Sequence, residues 1–209
     1  MHASGRELLR IFGTSSCLIF LLVPFVNADV LDDIEQCDGC HGKDGVSTES
    51  DVPSIAGVSP FIIEEYMFEY RDEARPCRES EYRAGDTDRP ATDMCAIAKE
   101  LSEEEIPEIA EFYGSKKFTV ATQDFDAAKA AVGAKLHRRD CEKCHSDGGS
   151  YADDDAGMLA GQWMPYLEQV FADYAAGDRG MLEEKMKEKM DPLDAESTSA
   201  LIHYYGSLQ

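Results

Sequence analysis

A five-residue pattern occurs twice in this chain, as Cys37-Asp38-Gly39-Cys40-His41 and as Cys141-Glu142-Lys143-Cys144-His145. In this spacing, two thiols can bond to the vinyl groups on one edge of a haem while the adjacent imidazole coordinates the iron. Zinc sites and disulfide oxidoreductases also use paired cysteines, but a zinc site needs further paired ligands, and here both copies carry the histidine. The repeated pattern therefore predicts two covalently bound haem c groups. Their thioether bonds would come from Cys37, Cys40, Cys141 and Cys144, and their first axial ligands would be His41 and His145.

The sequence around the two motifs indicates an internal duplication. An offset of 104 residues places Ile55-Ala56-Gly57 over Leu159-Ala160-Gly161 and Tyr70 over Tyr174. Toward the end of each copy the offset falls to 92, so that Tyr113 meets Tyr205. The first copy therefore contains about a dozen additional residues between Tyr70 and Met94.

Each copy has the pattern of helices joined by loops, with no alternating strand, which predicts an all-α fold of two tandem domains. Ser59-Pro60 and Met164-Pro165 mark helix starts, and Ser102 with Glu105 forms a capping-box signature that Asp194 matches in the second copy. Gly114 and Gly206 occupy positions typical of helix C-terminal glycines. The expected domains span residues 29–114 and 125–209, with a linker at 115–124. Because units of this size bury little apolar surface, we expect a haem to supply much of each core.

Residues 1–28 have the pattern of a signal peptide that is removed on export to the periplasm. Arg6 and Arg10 precede an apolar run from Leu18 to Val26, which is short for a membrane span, and Ala28 ends a suitable cleavage site. Cys17 fits a lipoprotein cysteine poorly because the apolar run follows it. The mature chain would begin at Asp29 and would have no stable membrane insertion.

The chain is strongly acidic, with 20 Lys and Arg against 42 Asp and Glu and a formal charge of -22. Removal of residues 1–28 would leave 18 basic and 41 acidic side chains and a charge of -23. This excess argues against binding to nucleic acid or to an anionic membrane surface, and it favours a basic partner or a salt-rich habitat. A solvated acidic surface without a particular partner is the simplest interpretation.

The second axial ligand of each iron is expected from a loop ahead of the last helix in each copy. The offset of 92 places Met94 over Met186, each seven residues before the aligned Leu101 and Leu193. The duplicated position and the thioether chemistry favour these two methionines as ligands. Alternatives on the same stretch or on flanking predicted helices are Met181, Met190, His137 and His203. A His/Met pair leaves no open coordination position, which predicts outer-sphere electron transfer and no catalytic residues.

Cys77 and Cys95 flank the insertion of the first copy and have no counterparts in the second. In an oxidising compartment they are expected to form a disulfide worth about 3 kcal/mol of stability. Because Cys95 follows Met94 directly, we hypothesise that this bond holds the ligand-bearing loop in place. The alternative is a free thiolate that ligates haem or handles a sulfur compound, which would make the chain a redox enzyme.

The run from Gly133 through the second motif, followed by Leu159-Ala160-Gly161-Gln162-Trp163 and Pro165-Tyr166-Leu167, resembles the dihaem cytochrome subunit of flavocytochrome c sulfide dehydrogenase. Cytochrome c4 is similar in plan. The resemblance implies two class I cytochrome c domains with His/Met-ligated haems. It also implies a separate flavoprotein subunit as partner, since this chain has no G-x-G-x-x-G fingerprint for a flavin. The alternative implied by cytochrome c4 is a free shuttle to a terminal electron acceptor such as an oxidase.

Overall fold

A computed structural model describes residues 28–180 and 184–209 of the chain. The predicted signal peptide lies outside the described residues, except for Ala28, which begins the first helix. The helices are α1 (Ala28–His41), α2 (Pro60–Arg71), α3 (Met94–Glu100), α4 (Glu105–Gly114), α5 (Ala127–Asp140), α6 (Ser146–Gly149), α7 (Met164–Ala176), α8 (Glu184–Met190) and α9 (Ala195–Ser207). Within the described ranges the only β-type pairing is an isolated antiparallel bridge between Ser80 and Thr92. The predicted all-α fold is confirmed.

The helix-start signals of the sequence correspond to hydrogen bonds in the structure. Glu105 N donates to Ser102 Oγ at 3.2 Å, and Ser102 N donates to a carboxylate oxygen of Glu105 at 2.7 Å, which is a reciprocal capping box. Asp194 caps α9 by accepting from Ser197 N at 2.8 Å. Asp194 therefore caps the last helix of the second half directly, whereas the Ser102–Glu105 pair closes the turn that leads into α4.

The two glycines predicted to terminate helices have a different role. Gly114 is the last residue of α4 and Gly206 lies within α9, so neither follows its helix as a terminating glycine would. A Cβ atom on Gly114 would lie 2.7 Å from the ring of Pro60, and one on Gly206 would overlap the side chain of Met164. The glycines are required because the last helix of each half contacts the first turn of α2 or α7.

The described residues form two hydrophobic cores, one in each half. In the first, Ile62, Ile106 and Tyr113 are buried between α1, α2 and α4. In the second, Leu167, Leu201 and Tyr205 hold corresponding places between α7 and α9. The buried side chains of each core surround one Cys-x-x-Cys-His motif, as Cys37 and Cys141 pack against them.

The two halves contact one another through a polar interface. Gln162, which is 2% exposed, accepts from Ser54 N at 3.0 Å and donates to Ser54 O at 2.9 Å. The Trp163 indole donates to Ser47 O at 3.1 Å. Between Gly114 and Ala127 the connecting segment is not helical, and Gln123 fastens it to the second half by donating to Gln162 O at 2.8 Å. None of the helices in the part of the chain described is long and apolar enough to cross a membrane.

Candidate haem sites

The first motif lies at the C-terminal end of α1, where Cys37, Cys40 and His41 occupy the last turns of the helix. The His41 ring is 8% exposed, and its Nδ1 lies 2.9 Å from the carbonyl oxygen of Pro53. Burial lowers the pKa of His41, although the Pro53 carbonyl acts in the opposite direction. The imidazole is therefore neutral and oriented, with Nε2 available as an iron ligand.

The second motif follows the end of α5, so that Cys141 is the first residue after the helix. Burial lowers the pKa of His145, and the nearby His137 adds to this effect. The Gly157 carbonyl favours the protonated ring, but within the described residues Nδ1 is buried without a hydrogen-bond partner. The second imidazole is thus neutral like the first but less firmly oriented.

A buried tyrosine supports each motif from the last helix of its half. Tyr113 OH donates to Asp38 Oδ1 at 2.8 Å, and Tyr205 OH lies 3.1 Å from His137 Nδ1. His137 is 0% exposed, and a Glu142 oxygen lies 2.7 Å from its Nε2. The second alternative ligand, His203, accepts from Asp126 N at 3.0 Å. Both histidines considered as alternative ligands therefore have structural partners.

The methionines proposed as ligands lie on short helices before α4 and α9. Met94 is the first residue of α3, is half-buried, and packs against the first core. Met186 is half-buried on α8, and Met190, one turn later on the same helix, packs against the second core. Met181 lies outside the described residues. On α3 Met94 is the one methionine that could serve as ligand, whereas α8 carries two candidates, Met186 and Met190.

Cys77 and Cys95 form the expected disulfide. The bond joins the start of the insertion to α3, in which Cys95 is buried directly after Met94. Since both sulfurs are bonded to one another, neither is available as a thiolate ligand or nucleophile. The alternative of a redox enzyme, which required a free thiolate at one of these cysteines, is therefore not supported.

A cluster of two buried arginines between the halves was not recognised from the sequence. Arg75 is 3% exposed and Arg179 is 5% exposed, and both guanidinium groups stack on Tyr66, at 3.9 and 4.8 Å from the ring centroid. Arg75 also lies over Tyr70, and Arg179 over Tyr174. The offset of 104 relates the two arginines, so the duplication itself was the signal that could have found them.

The arginine cluster contains polar atoms that lack partners. Arg75 Nη1 and Arg179 Nε are buried and make no hydrogen bond within the described residues. Glu69 lies 3.6 Å from Arg75, and burial raises the pKa of its carboxyl group despite that arginine. The two guanidinium groups therefore need further anionic partners, because buried charges are costly unless paired. Haem c carries two propionate carboxylates, so this cluster, the paired thiols and the neutral histidines together fit two such groups.

Comparison with known proteins finds c-type cytochromes among those similar to this chain. No family model matches the chain. Cytochrome c4 of Stutzerimonas stutzeri is 27% identical over 181 residues, which cover 79% of this chain and 82% of that protein. Cytochrome c-554(548) of Halomonas halodenitrificans is 33% identical over 86 residues, 41% of this chain and 90% of that protein. The cytochrome subunit of sulfide dehydrogenase from Chlorobaculum tepidum is 37% identical over 79 residues, 38% of this chain and 58% of that subunit.

The structural comparison agrees with the sequence comparison. The crystal structure of reduced recombinant cytochrome c4 from Pseudomonas stutzeri matches with a TM-score of 0.69 and 23% identity, covering 87% of this chain and 97% of that one. The chain belongs to the c-type cytochromes. Its tandem two-domain fold is that of cytochrome c4, and it is a dihaem electron-transfer protein with both haems covalently bound.

Proposed function

We propose that this protein is a periplasmic electron carrier whose two irons are each ligated by a histidine and a methionine. The axial pairs are His41 with Met94 and His145 with Met186. When bound, each haem supplies one-electron chemistry between ferric and ferrous iron. The cysteines would anchor the groups, the neutral histidines would offer Nε2 to the iron, and the thioethers would exclude substrate and water from it. The N-terminal charge and hydropathy pattern supports export.

The observation that carries this proposal is the duplication of a complete set of supporting residues. Each half combines a Cys-x-x-Cys-His motif whose histidine is neutral with a buried tyrosine from the last helix. Each half also provides a methionine on a short helix ahead of that last helix, and one buried arginine. A protein with one catalytic site would need such a set of residues only once, whereas a protein with two similar redox centres needs it in both halves.

Replacement of the thioethers tests the ligand assignment. Met→Leu substitution preserves volume and removes the sulfur, so it should cost less than about 1.5 kcal/mol of stability. We expect Met94→Leu and Met186→Leu each to abolish about half of the long-wavelength methionine-to-iron absorption band of the oxidised protein and to lower one reduction potential. Met190→Leu is the matched control and should leave the band intact. If Met190→Leu removes the band and Met186→Leu does not, the ligand of the second iron is Met190.

A second, more specific function is the electron-accepting subunit of a sulfide dehydrogenase of the flavocytochrome c type. The stretch of 37% identity to a sulfide dehydrogenase cytochrome subunit supports it. Relatives that match most of the chain are instead cytochrome c4 proteins, which supports a free shuttle toward a terminal acceptor. Purification of the native protein separates the two. Co-elution of a flavoprotein and sulfide-dependent reduction favour the subunit, and a flavin-free single chain favours the shuttle.

A further inference from the structure

The insertion of the first half folds back over the first motif. We call residues 76–93 the flap. Arg83 N and Ala84 N both donate to the carbonyl oxygen of Gly39, at 2.8 and 3.0 Å. The thiol of Cys40 contacts the carbonyl of Glu81, with sulfur and oxygen 3.6 Å apart. The flap is closed by the hydrogen bonds between Ser80 and Thr92, at 2.7 and 2.9 Å, and by the disulfide at Cys77. It therefore covers the motif from the outside.

The close packing of the flap on the first motif depends on a glycine inside that motif, Gly39. Tyr82 is 6% exposed, receives a hydrogen bond from Gln36 at 3.2 Å, and lies so close to Gly39 that a Cβ atom there would be 2.7 Å from its ring. The equivalent position in the second motif is Lys143, whose side chain is exposed. A lysine at this position would clash with a flap of this kind, and the second half lacks the insertion that forms it. The second cysteine of the first motif, Cys40, is consequently half-buried, whereas its equivalent in the second motif, Cys144, is exposed to solvent.

The two motifs also differ in charge. Residues 129–143 contain five basic side chains and two acidic ones, although the protein as a whole carries -22. The equivalent residues 25–39 contain five acidic side chains and no lysine or arginine. We call the exposed surface formed by Lys135, Arg138, Arg139, Lys143 and Cys144 the Cys144 face. The exposed side chains next to Cys144 are mainly basic, although Arg139 is paired with Asp140. The helix that carries the first motif is acidic, and the basic groups near that motif, Arg83 and Arg89, come from the flap.

We propose that the flap closes the first haem to partner proteins and that the Cys144 face is the docking surface for a redox protein with an acidic docking surface. This inference rests on the proposed electron-carrier function. The thioether sulfurs mark one edge of each haem, and partner proteins can approach closely only at the edge that is exposed. Opposite charges at this edge would increase the association rate and orient the partner, while the remaining acidic surface would repel it elsewhere.

The test uses the holoprotein and an acidic one-electron donor protein, the hydroquinone form of a flavodoxin, mixed by stopped flow. For the wild-type protein we expect a bimolecular reduction rate that falls as salt is added. The variant R138E/K143E should be reduced about ten-fold more slowly at low salt. The control variant K43E/K117E carries the same change in charge on exposed residues away from the Cys144 face, Lys43 in the first half and Lys117 in the connecting segment, and should stay within about two-fold of the wild type.

Equal losses in the two variants, or an unchanged rate in R138E/K143E, would overturn the docking surface. Amide chemical-shift changes on addition of oxidised flavodoxin should map to residues 138–144 and spare residues 38–41. Changes at both motifs would show that the flap does not close the first. Binding of wild-type protein but not R138E/K143E to phosphatidylglycerol vesicles, with an unchanged flavodoxin rate, would assign the face to a membrane surface instead.

Failure of the proposed function would be recognised separately. The haem content and the methionine-to-iron band of each sample are measured before mixing. Absence of that band in the wild-type protein would contradict the ligand assignment, whereas the docking surface is judged only from the salt dependence and the differences between variants.

Discussion

At the scale of single residues, the two halves use the same side chains in slightly different ways. Pro53 fixes His41 through a 2.9 Å contact to Nδ1, whereas His145 lacks such a bond within the described part of the chain. Arg75 and Arg179 are more nearly equivalent, since each stacks on Tyr66 and each has a buried nitrogen with no hydrogen-bond partner among the described residues. We therefore expect the second iron site to be more responsive to changes in its surroundings than the first.

Removal of one buried guanidinium should change a reduction potential. Ferric haem carries one more positive charge than ferrous haem, so loss of a nearby cation favours the oxidised form and lowers the potential. For Arg179→Gln we expect one reduction potential to fall by on the order of 40 mV, which corresponds to about 1 kcal/mol for one electron. Spectroelectrochemical titration measures it. Arg179→Lys retains the charge and should recover most of the shift, although it lacks the planar fork of arginine. Unchanged potentials in Arg179→Gln would contradict a role of the cluster at the haems.

At the scale of helices, the close crossing of α5 and α9 determines the shape of the second half. Gly133 lies in the middle of α5, where its side-chain hydrogen faces the backbone of Ala200 on α9, and an added Cβ would overlap that carbonyl group. In an isolated helix, replacing this glycine by alanine would be favourable by about 0.5–1 kcal/mol. In the protein the contact with backbone must dominate, because a carbonyl group cannot move aside as a flexible side chain can.

Gly133→Ala should therefore be destabilising despite the gain in helix propensity. We expect a loss of about 2 kcal/mol, as found for overpacked cores, and a lower urea midpoint followed by circular dichroism. Gly180→Ala provides the comparison, since no described residue lies within 4 Å of its added Cβ and its φ is not in the left-handed region. That variant should stay within about 0.5 kcal/mol of the wild type. A neutral or stabilising effect of Gly133→Ala would mean that the helices can separate at little cost.

At the scale of the whole molecule, the flap links the two halves as well as covering the first motif. Arg78, next to the disulfide, makes two bonds to Asp173 on α7, at 2.8 and 2.5 Å. The carboxylate is largely buried, with 10% of the side chain exposed, whereas half of the arginine side chain is in solvent. A bidentate pair with a buried partner is stronger than an exposed pair, since less of its charge is screened by water.

A double-mutant cycle on this pair measures its contribution to the interface between the halves. For Arg78→Met and Asp173→Asn we expect a coupling energy of about 1–3 kcal/mol in the free energy of unfolding. The bidentate pair of Arg83 with Asp51 has similar distances, 2.5 and 2.7 Å, but joins residues of the first half and is more exposed. Its cycle should give about 0–1 kcal/mol. Equal coupling in the two cycles would indicate that burial of Asp173 does not matter.

The sequence by itself determined the chemistry and the local structure of this protein. The motif spacing predicted which residues would bond the haems, and the hydrophobic period with its capping residues predicted the helices, because both depend on neighbours within a few positions along the chain. The pairing of Cys77 with Cys95 was also accessible, since only these two cysteines lay outside the motifs and the leader.

Other features were decided only by the tertiary structure. The true role of Gly114 and Gly206, the arginine cluster on Tyr66 and the placement of the flap over Gly39 depend on residues far apart in sequence. The duplication related Arg75 to Arg179, but nothing local indicated that either would be buried. The net charge likewise concealed the basic Cys144 face, since a sum over the chain carries no information about which charges share a surface.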